Sequence, residues 1–277
     1  MKTEAYAKLN LTLDITGRDE RGYHLLSSVF AQISLCDTVE VTCGGEDISL
    51  TCDIPSVPTD GRNLCCKAAE RFFEAFSLPK TGLQIRLKKQ IPVCAGLGGG
   101  SSDAAAVLRL LALQYSVSFD DPALLRAASS VGADVPFFLK GGMCLAEGTG
   151  DLLTPLPYRC TDTVLVVKPS AGAETAEVYR RYDQQATRYA PATPGFLEAL
   201  RKGATVCPTV SNHLSMASQS LCPEEKKWKE QLLAAGALQA EVTGSGSAVY
   251  GLFPDPAAAQ RAKDVIQAEF AAVCRFC

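Results

Sequence analysis

Four glycines fall within five positions of the segment Pro92-Val-Cys-Ala-Gly-Leu-Gly-Gly-Gly-Ser-Ser102, and Asp103-Ala-Ala-Ala follows directly. Glycine has no Cβ, so the backbone N–H groups of Pro92, Val93, Cys94, Ala95, Gly96, Leu97, Gly98, Gly99 and Gly100, proline excepted, can come close to a ligand. Ser101 and Ser102 then open an apolar run of helical length, and a helix N-terminus offers unsatisfied N–H donors and partial positive charge. Together these features suit a phosphate group. The alternative is a glycine loop capped by serine with no ligand, and the segment alone does not decide between them.

Spacing excludes the commoner nucleotide motifs. Gly-Lys-Ser/Thr is absent, so the turn is not a P-loop. His-Arg-Asp and Asp-Phe-Gly of the protein kinases are absent too. Gly96, Gly98 and Ser101 fit the dinucleotide pattern G-x-G-x-x-G poorly. Three other places carry reactive side chains: Lys8 and Asn10 near the start, Asp134 between Gly132 and Pro136, and the glycine turn Thr243-Gly244-Ser245-Gly246-Ser247.

These residues need elements to position them. Residues 5–15 alternate strictly, with Ala5, Ala7, Leu9, Leu11, Leu13 and Ile15 on one face and Tyr6, Lys8, Asn10, Thr12 and Asp14 on the other. Period two predicts a half-buried strand whose polar face looks to solvent or to a site. After a turn at Gly17–Gly22, strand character continues through Val39 and Val41. Cys65, Ala69, Phe72, Phe73 and Phe76 form a helical stripe over 62–76. A strand at Leu83, Ile85 and Leu87 leads into the glycine turn, and a largely buried helix runs from about Ser102 to Tyr115. Asp120-Asp121-Pro122 starts another helix. The pattern pauses at Pro155-Leu156-Pro157 and resumes as a strand at Val164–Val167, which sets an expected domain boundary between 157 and 158. Helices are expected near 176–186, 194–202, 223–235 and 256–272, with a strand–turn–strand from Glu241 to Phe253. Strands and helices mix without strict alternation, which predicts an α+β fold in two lobes.

With 277 residues the chain can bury roughly three quarters of its unfolded surface, enough for one large domain or two modest ones. Net charge is −3 and no basic block exceeds two residues, which argues against a nucleic-acid partner. No stretch of about 18 apolar residues suggests a membrane span. The twelve cysteines are scattered, and Cys36, Cys144 and Cys160 stand where a small core residue fits, as reduced cytoplasmic cysteines do. Cys274 and Cys277 form the one C-x-x-C, which is weak evidence for a metal, and His24 and His213 do not complete a site with it.

Pro-x-x-x-Gly-Leu-Gly-Gly-Gly-Ser-Ser resembles the second motif of the GHMP kinases, which phosphorylate galactose, homoserine, mevalonate and related metabolites. Thr243-Gly-Ser-Gly-Ser247 resembles the third motif and Lys8-Leu-Asn10 the first. Ala7–Leu13, Gly17-Arg18, Arg21-Gly-Tyr-His24, Gly132–Phe137, Glu147–Gly150 and Thr175–Tyr179 are similar to a branch of this family. Its acceptor is a cytidyl-linked sugar alcohol of isoprenoid precursor synthesis. Asn212-His213-Leu214 departs from that branch, which usually has Asp in the middle, and no role is assigned to it.

The resemblance implies a ribosomal-S5-domain-2-like N-terminal lobe over 1–157 and a ferredoxin-like C-terminal lobe over 158–277. It implies ATP and Mg²⁺, a small cytidyl substrate and a cytoplasmic enzyme. Asp134, on local sequence a helix cap or turn residue, becomes the base for the substrate hydroxyl. Lys8, otherwise a solvated strand lysine, joins it beside the transferring phosphoryl group. Tyr23 and His24, by themselves an inert surface pair, become cytosine-recognising residues, with Tyr179 closing the other face. Asn10 and Thr175 become polar substrate contacts, and Asn63, Leu64 and Lys89 adenosine-side contacts. The rivals are a homoserine- or mevalonate-type kinase of the same family, and a catalytically silent nucleotide-binding module.

Overall fold

The computed structural model describes residues 1–79, 82–158, 160–185, 189–204 and 207–277. Packing divides the chain into two compact units that interleave along the sequence. The first comprises Met1–Ala7, Leu35–Val93 and Gly98–Gly141; the second comprises Lys8–Ser34, Cys94–Leu97 and Gly142–Cys277. A single cut at 157 therefore does not coincide with the division by packing. The strands β1 (Lys2–Arg18) and β2 (His24–Cys43) are long enough to contribute residues to both units.

In the first unit the alternation of β4 (Leu83–Lys88) buries Leu83, Ile85 and Leu87 and exposes the residues between them. It pairs parallel with β3 (Ile48–Cys52) and antiparallel with Thr38–Cys43 of β2. Four helices pack together here: α1 (Leu64–Ala75), α2 (Gly99–Gln114), α3 (Pro122–Val131) and α4 (Val135–Lys140). Asp121 caps α3 through the Ala123 N–H, and Pro122 occupies its first turn. The α2 segment Ser102–Leu108 is buried on every side, as the lack of polar residues after Asp103 predicts.

In the second unit, Leu26–Ala31 of β2 pair with β5 (Met143–Gly148), whose other edge takes β6 (Leu152–Leu156). The expected pause at Pro155 is thus strand. Among the described residues β6 pairs only with β5, and an edge strand tolerates a proline that lacks an N–H.

A separate four-stranded sheet has the order β11-β7-β10-β9, with β7 at Thr163–Lys168, β9 at Gln239–Val242, β10 at Val249–Phe253 and β11 at Phe270–Arg275. All neighbours are antiparallel. The intervening helices are α5 (Thr175–Asp183), α6 (Thr193–Arg201), α7 (Ser215–Leu221), α8 (Glu224–Ala234) and α9 (Pro256–Val265); a short strand β8 (Ser211–Asn212) pairs parallel with β1. Strand succession with crossing helices and this order make the sheet ferredoxin-like. Its core joins Leu165, Val167, Trp228, Leu232, Val242, Phe253 and Ala262.

Two expectations change. The helix expected over 256–272 ends at Val265, and Phe270–Arg275 is strand. Val164–Val167 of β7 are fully buried, and such a strand needs partners on both edges; β11 supplies one, overriding the helix preference of the alanines. The helix expected near 176–186 is observed to Asp183, and residue 186 lies outside the described residues. None of the twelve cysteines is in a disulfide. Cys274 is buried in β11 while Cys277 is exposed, and no group of three or more His, Cys, Asp or Glu among the described residues could hold a metal. Among the described residues, no helix is long and apolar enough to cross a membrane.

Candidate active site

The glycine turn begins where β4 ends. Its backbone enters the left-handed region at Cys94 (φ 53°), Gly96 (φ 72°) and Gly98 (φ 71°). Gly98 stands at the head of α2, and no side chain caps that helix. The first N–H groups of α2 are thus presented by a glycine backbone, the arrangement that suits a phosphate.

The middle of the turn is held within the second unit. Lys8 N–H donates to Leu97 O at 3.0 Å and Ala248 N–H donates to Ala95 O at 3.1 Å. A side chain on Gly96 would collide with the carbonyl oxygens of Thr243 and Gly246, and one on Gly244 would meet Gly96 O at 3.3 Å. The turn at Thr243–Ser247 therefore packs backbone to backbone against Ala95–Leu97.

Lys8 and Asn10 are buried, at 5% and 2% exposure, and Thr12 and Asp14 are fully buried. The polar face of β1 does not look to solvent. Lys8 Nζ donates to Asn10 Oδ1 at 2.6 Å and lies 4.6 Å from the Phe30 ring centroid. Asn10 Nδ2 donates to Ser28 Oγ, and Asn10 N–H donates to Thr243 Oγ1 at 3.0 Å. Farther along, Thr12 bonds Thr193, while Asp14 accepts from the N–H groups of Ala192 and Thr193. The segment entering α6 thus covers the polar face.

The aromatic residues gather at the start of β2. The rings of His24 and Tyr179 lie 4.7 Å apart between centroids, tilted by 32°. They touch one another, so a base cannot stand between them in this arrangement. Tyr23 is 63% exposed. His24 Nε2 is 2.8 Å from Asp183 Oδ1, and Arg18 pairs with the same carboxylate. Although partial burial pushes the other way, hydrogen bonds from Arg18 and His24 hold the Asp183 carboxyl below its ordinary range. Thr175 Oγ1 is 2.9 Å from Ser245 Oγ, which ties the start of α5 to the third-motif turn.

In the first unit, Asp134 stands at the head of α4, yet its side chain makes no capping bond. A side chain on Gly132, two residues earlier, would come within 3.9 Å of Ser101 Oγ, so the Gly132–Asp134 turn lies close to the head of α2. Asn63 caps α1: its Oδ1 accepts from Cys65 N–H and its Nδ2 donates to Pro58 O. Leu64 lies 3.8 Å from where a Gly100 side chain would begin. Lys89 does not project outward; its ammonium is held by Asp37 and Asp103.

Several contributors escape local sequence reasoning. Asn212 Nδ2 donates to the carbonyls of both Val242 and Gly244, pinning the third-motif turn, and His213 Nδ1 accepts from Ile15 N–H at 3.0 Å. The departure at Asn212-His213 thus has a structural role. Asn212→Ala leaves two buried carbonyls unpaired and should cost about 2 kcal/mol in thermal unfolding.

Ser218 and Glu225 lie beneath the same turn. Ser218 Oγ is 2.7 Å from Glu225 Oε1 and 3.1 Å from Ser245 O, and Glu225 Oε2 has no hydrogen-bond partner. One hydroxyl proton cannot serve both acceptors, but a protonated carboxyl can donate to Ser218, which then donates to Ser245 O. Burial pushes the Glu225 carboxyl up to about 7, despite the opposing Ser218 bond. A raised acid stabilises the fold below its unfolded pKa, and that contribution is lost as pH rises from about 4.5 through about 7. Glu225→Gln should therefore match the wild type at pH 4.5 and melt higher at pH 8, by up to about 3 kcal/mol. Equal melting curves at pH 8 would contradict this account.

An α+β fold with a phosphate-suited glycine turn, braced by a second glycine turn, defines a small-molecule kinase of the GHMP class. The family models agree: the GHMP kinases N terminal domain matches residues 63–142 and the GHMP kinases C terminal matches residues 195–272. One match lies on each side of the expected boundary at 157. A relative from Clostridium botulinum (strain Eklund 17B / Type B), named 4-diphosphocytidyl-2-C-methyl-D-erythritol kinase, is 36% identical over 272 residues, covering 98% of this chain and 97% of its own. One of the same name from Clostridium tetani is 38% identical, covering 92% and 91%. A crystal structure of 4-(cytidine 5'-diphospho)-2C-methyl-D-erythritol kinase superposes with a TM-score of 0.82 at 36% identity, covering 99% of each chain. A homoserine kinase from Cytophaga hutchinsonii reaches 0.72 at 19% identity, covering 99% of this chain and 94% of its own, a likeness of fold alone. The chain belongs to the GHMP kinases, and within them to the family of the 4-diphosphocytidyl-2-C-methyl-D-erythritol kinases. Membership makes ATP its co-substrate.

Proposed function

We propose that this protein transfers the terminal phosphoryl group of ATP to the 2-hydroxyl of 4-diphosphocytidyl-2-C-methyl-D-erythritol, in the non-mevalonate route to isoprenoid precursors. The observation that carries this choice of acceptor is the His24–Tyr179 ring pair, with Tyr23 exposed nearby in sequence. Homoserine and mevalonate offer no base to stack, whereas stacking a base on an aromatic ring contributes about 1–3 kcal/mol.

In this reading the 2-hydroxyl oxygen attacks the terminal phosphorus, the bond from that phosphorus to the bridging oxygen breaks, and ADP leaves. The hydroxyl proton passes to the Asp134 carboxylate. The Lys8 ammonium stabilises negative charge developing on the phosphoryl oxygens. Backbone N–H groups from Val93 to Ser102 bind the phosphates. Asn10 holds Lys8 in place and, with Thr175, offers polar contacts to the substrate. Asn63 and Leu64 stand on the adenosine side.

Mg²⁺ enters as the partner of the ATP phosphates and neutralises their charge. It takes hard oxygen ligands and keeps several waters, with one or two protein donors sufficing. Ser101 Oγ, at the head of α2 and 3.9 Å from where a Gly132 side chain would begin, has this chemistry and would be such a donor. A reaction fed by ATP also suits a cytoplasmic enzyme.

A coupled ADP-release assay with the cytidyl substrate, homoserine and mevalonate separates the possibilities. Turnover should be confined to the cytidyl substrate. Turnover of homoserine or mevalonate in its place would sink the assignment, and no turnover of any would favour a silent binding module.

A further inference from the structure

The resemblance assigns Lys89 to adenosine, but the Lys89 ammonium is engaged inside the protein. Its side chain is 5% exposed and donates to Asp37 and, at 2.5 Å, to Asp103 Oδ2. Asp37 is fully buried, and its other oxygen, Oδ1, accepts from the backbone N–H groups of Gln90 at 2.5 Å and Ile91 at 2.8 Å. Lys89 N–H donates to Asp53 Oδ1 at 2.9 Å, which fixes the end of β4.

These bonds grip the chain at two points. Gln90 and Ile91 stand immediately ahead of Pro92, where the glycine turn begins. Asp103 stands immediately after Ser102, where the turn has become helix. Gly99, at the start of α2, rests on the same group: a side chain there would come within 3.0 Å of Ile91 Cγ2 and 3.5 Å of Lys89 Nζ.

The charges give the arrangement a further consequence. Two buried carboxylates close to the head of α2 oppose the binding of an anion there, and Lys89 cancels one of them. Burial pushes the Asp103 carboxyl up to about 7; Lys89 opposes the rise and the neighbouring Asp37 adds to it. Asp103 Oδ1 is buried without a hydrogen-bond partner, so the group is held in place by Lys89 and not by a ring of donors.

We propose that Asp37, Lys89 and Asp103 form a buried ionic clamp that sets the spacing of the two ends of the glycine turn, making Lys89 a positioning residue for the phosphates of ATP and not a contact to adenosine. The clamp rests on the reading of the turn as a phosphate site.

Calorimetric titration with ATP and with inorganic tripolyphosphate, both as Mg²⁺ complexes, tests it. In Lys89→Met both affinities should fall by the same factor, about tenfold or more, as expected when reacting groups are misplaced by a fraction of an ångström. An adenosine contact would instead weaken ATP and leave tripolyphosphate unchanged, and that result overturns the clamp, as does unchanged affinity for both. Should Lys89→Met fail to fold, Lys89→Met/Asp103→Asn leaves one buried carboxylate with its two backbone donors, and the same equal losses are expected. Failure of the wild type to bind tripolyphosphate would strike the phosphate reading of the turn itself.

Discussion

Asp134→Asn is expected to lower turnover by about 100-fold or more while ATP binding and thermal stability stay near wild type, the usual scale for loss of a general base. Asparagine has the shape of aspartate but cannot take up the hydroxyl proton. At the head of a helix an aspartate side chain ordinarily caps the first turn, and its loss costs about 1 kcal/mol. Asp134 makes no such bond, so its conversion to an amide removes no cap from α4. Turnover close to wild type, measured by coupled ADP release on a variant with an unchanged melting curve, would remove Asp134 from the role of base.

The second large effect is expected at Gly96, where the fold and not the ligand forbids a side chain. Gly96 has φ 72°, a region that costs an alanine about 1 kcal/mol or more. The new methyl would also meet the backbone oxygens of Thr243 and Gly246, the latter at 2.8 Å. Neither can yield cheaply. Thr243 Oγ1 accepts from Asn10 N–H, and Asn212 Nδ2 holds the adjacent carbonyls of Val242 and Gly244. Gly96→Ala should therefore destabilise by about 2–4 kcal/mol and reduce turnover by about 100-fold, through separation of the two glycine turns.

Gly100→Ala supplies the contrast. Its nearest neighbour would be Leu64 Cδ1 at 3.8 Å, and helical alanine is favoured over glycine by about 1 kcal/mol. That variant should melt no lower than wild type yet bind ATP more weakly, because the methyl stands where a phosphate approaches the backbone. Unimpaired ATP binding in Gly100→Ala would count against the phosphate cradle.

Much of this was legible in the sequence where the physics is local. Period-two burial in β4, the Asp121-Pro122 helix start and the glycine turn all rest on residues within a few positions of one another. What was illegible depends on distant partners. Nothing near Lys89 announces that Asp37 and Asp103 hold its ammonium, and without them a lysine beside a phosphate turn reads as a nucleotide contact. The polar face of β1 reads equally as facing solvent or a site until the Ala192–Thr193 segment is placed over it. Residues 266–272 have helix-favouring alanines, and only the open edge of β7 makes the segment that follows Ile266 a strand. Asn212, 32 positions from Gly244, and Glu225, acting through Ser218 27 positions from Ser245, support the third-motif turn through hydrogen bonds that no local motif encodes.

The central claim, phosphoryl transfer to a hydroxyl of a cytidyl-linked acceptor, is tested most directly by ³¹P nuclear magnetic resonance of the protein with ATP, Mg²⁺ and 4-diphosphocytidyl-2-C-methyl-D-erythritol. The account predicts one new phosphomonoester signal growing as ATP becomes ADP, with the diphosphate signals of the acceptor unchanged. Release of inorganic phosphate alone, or no consumption of ATP, would contradict it.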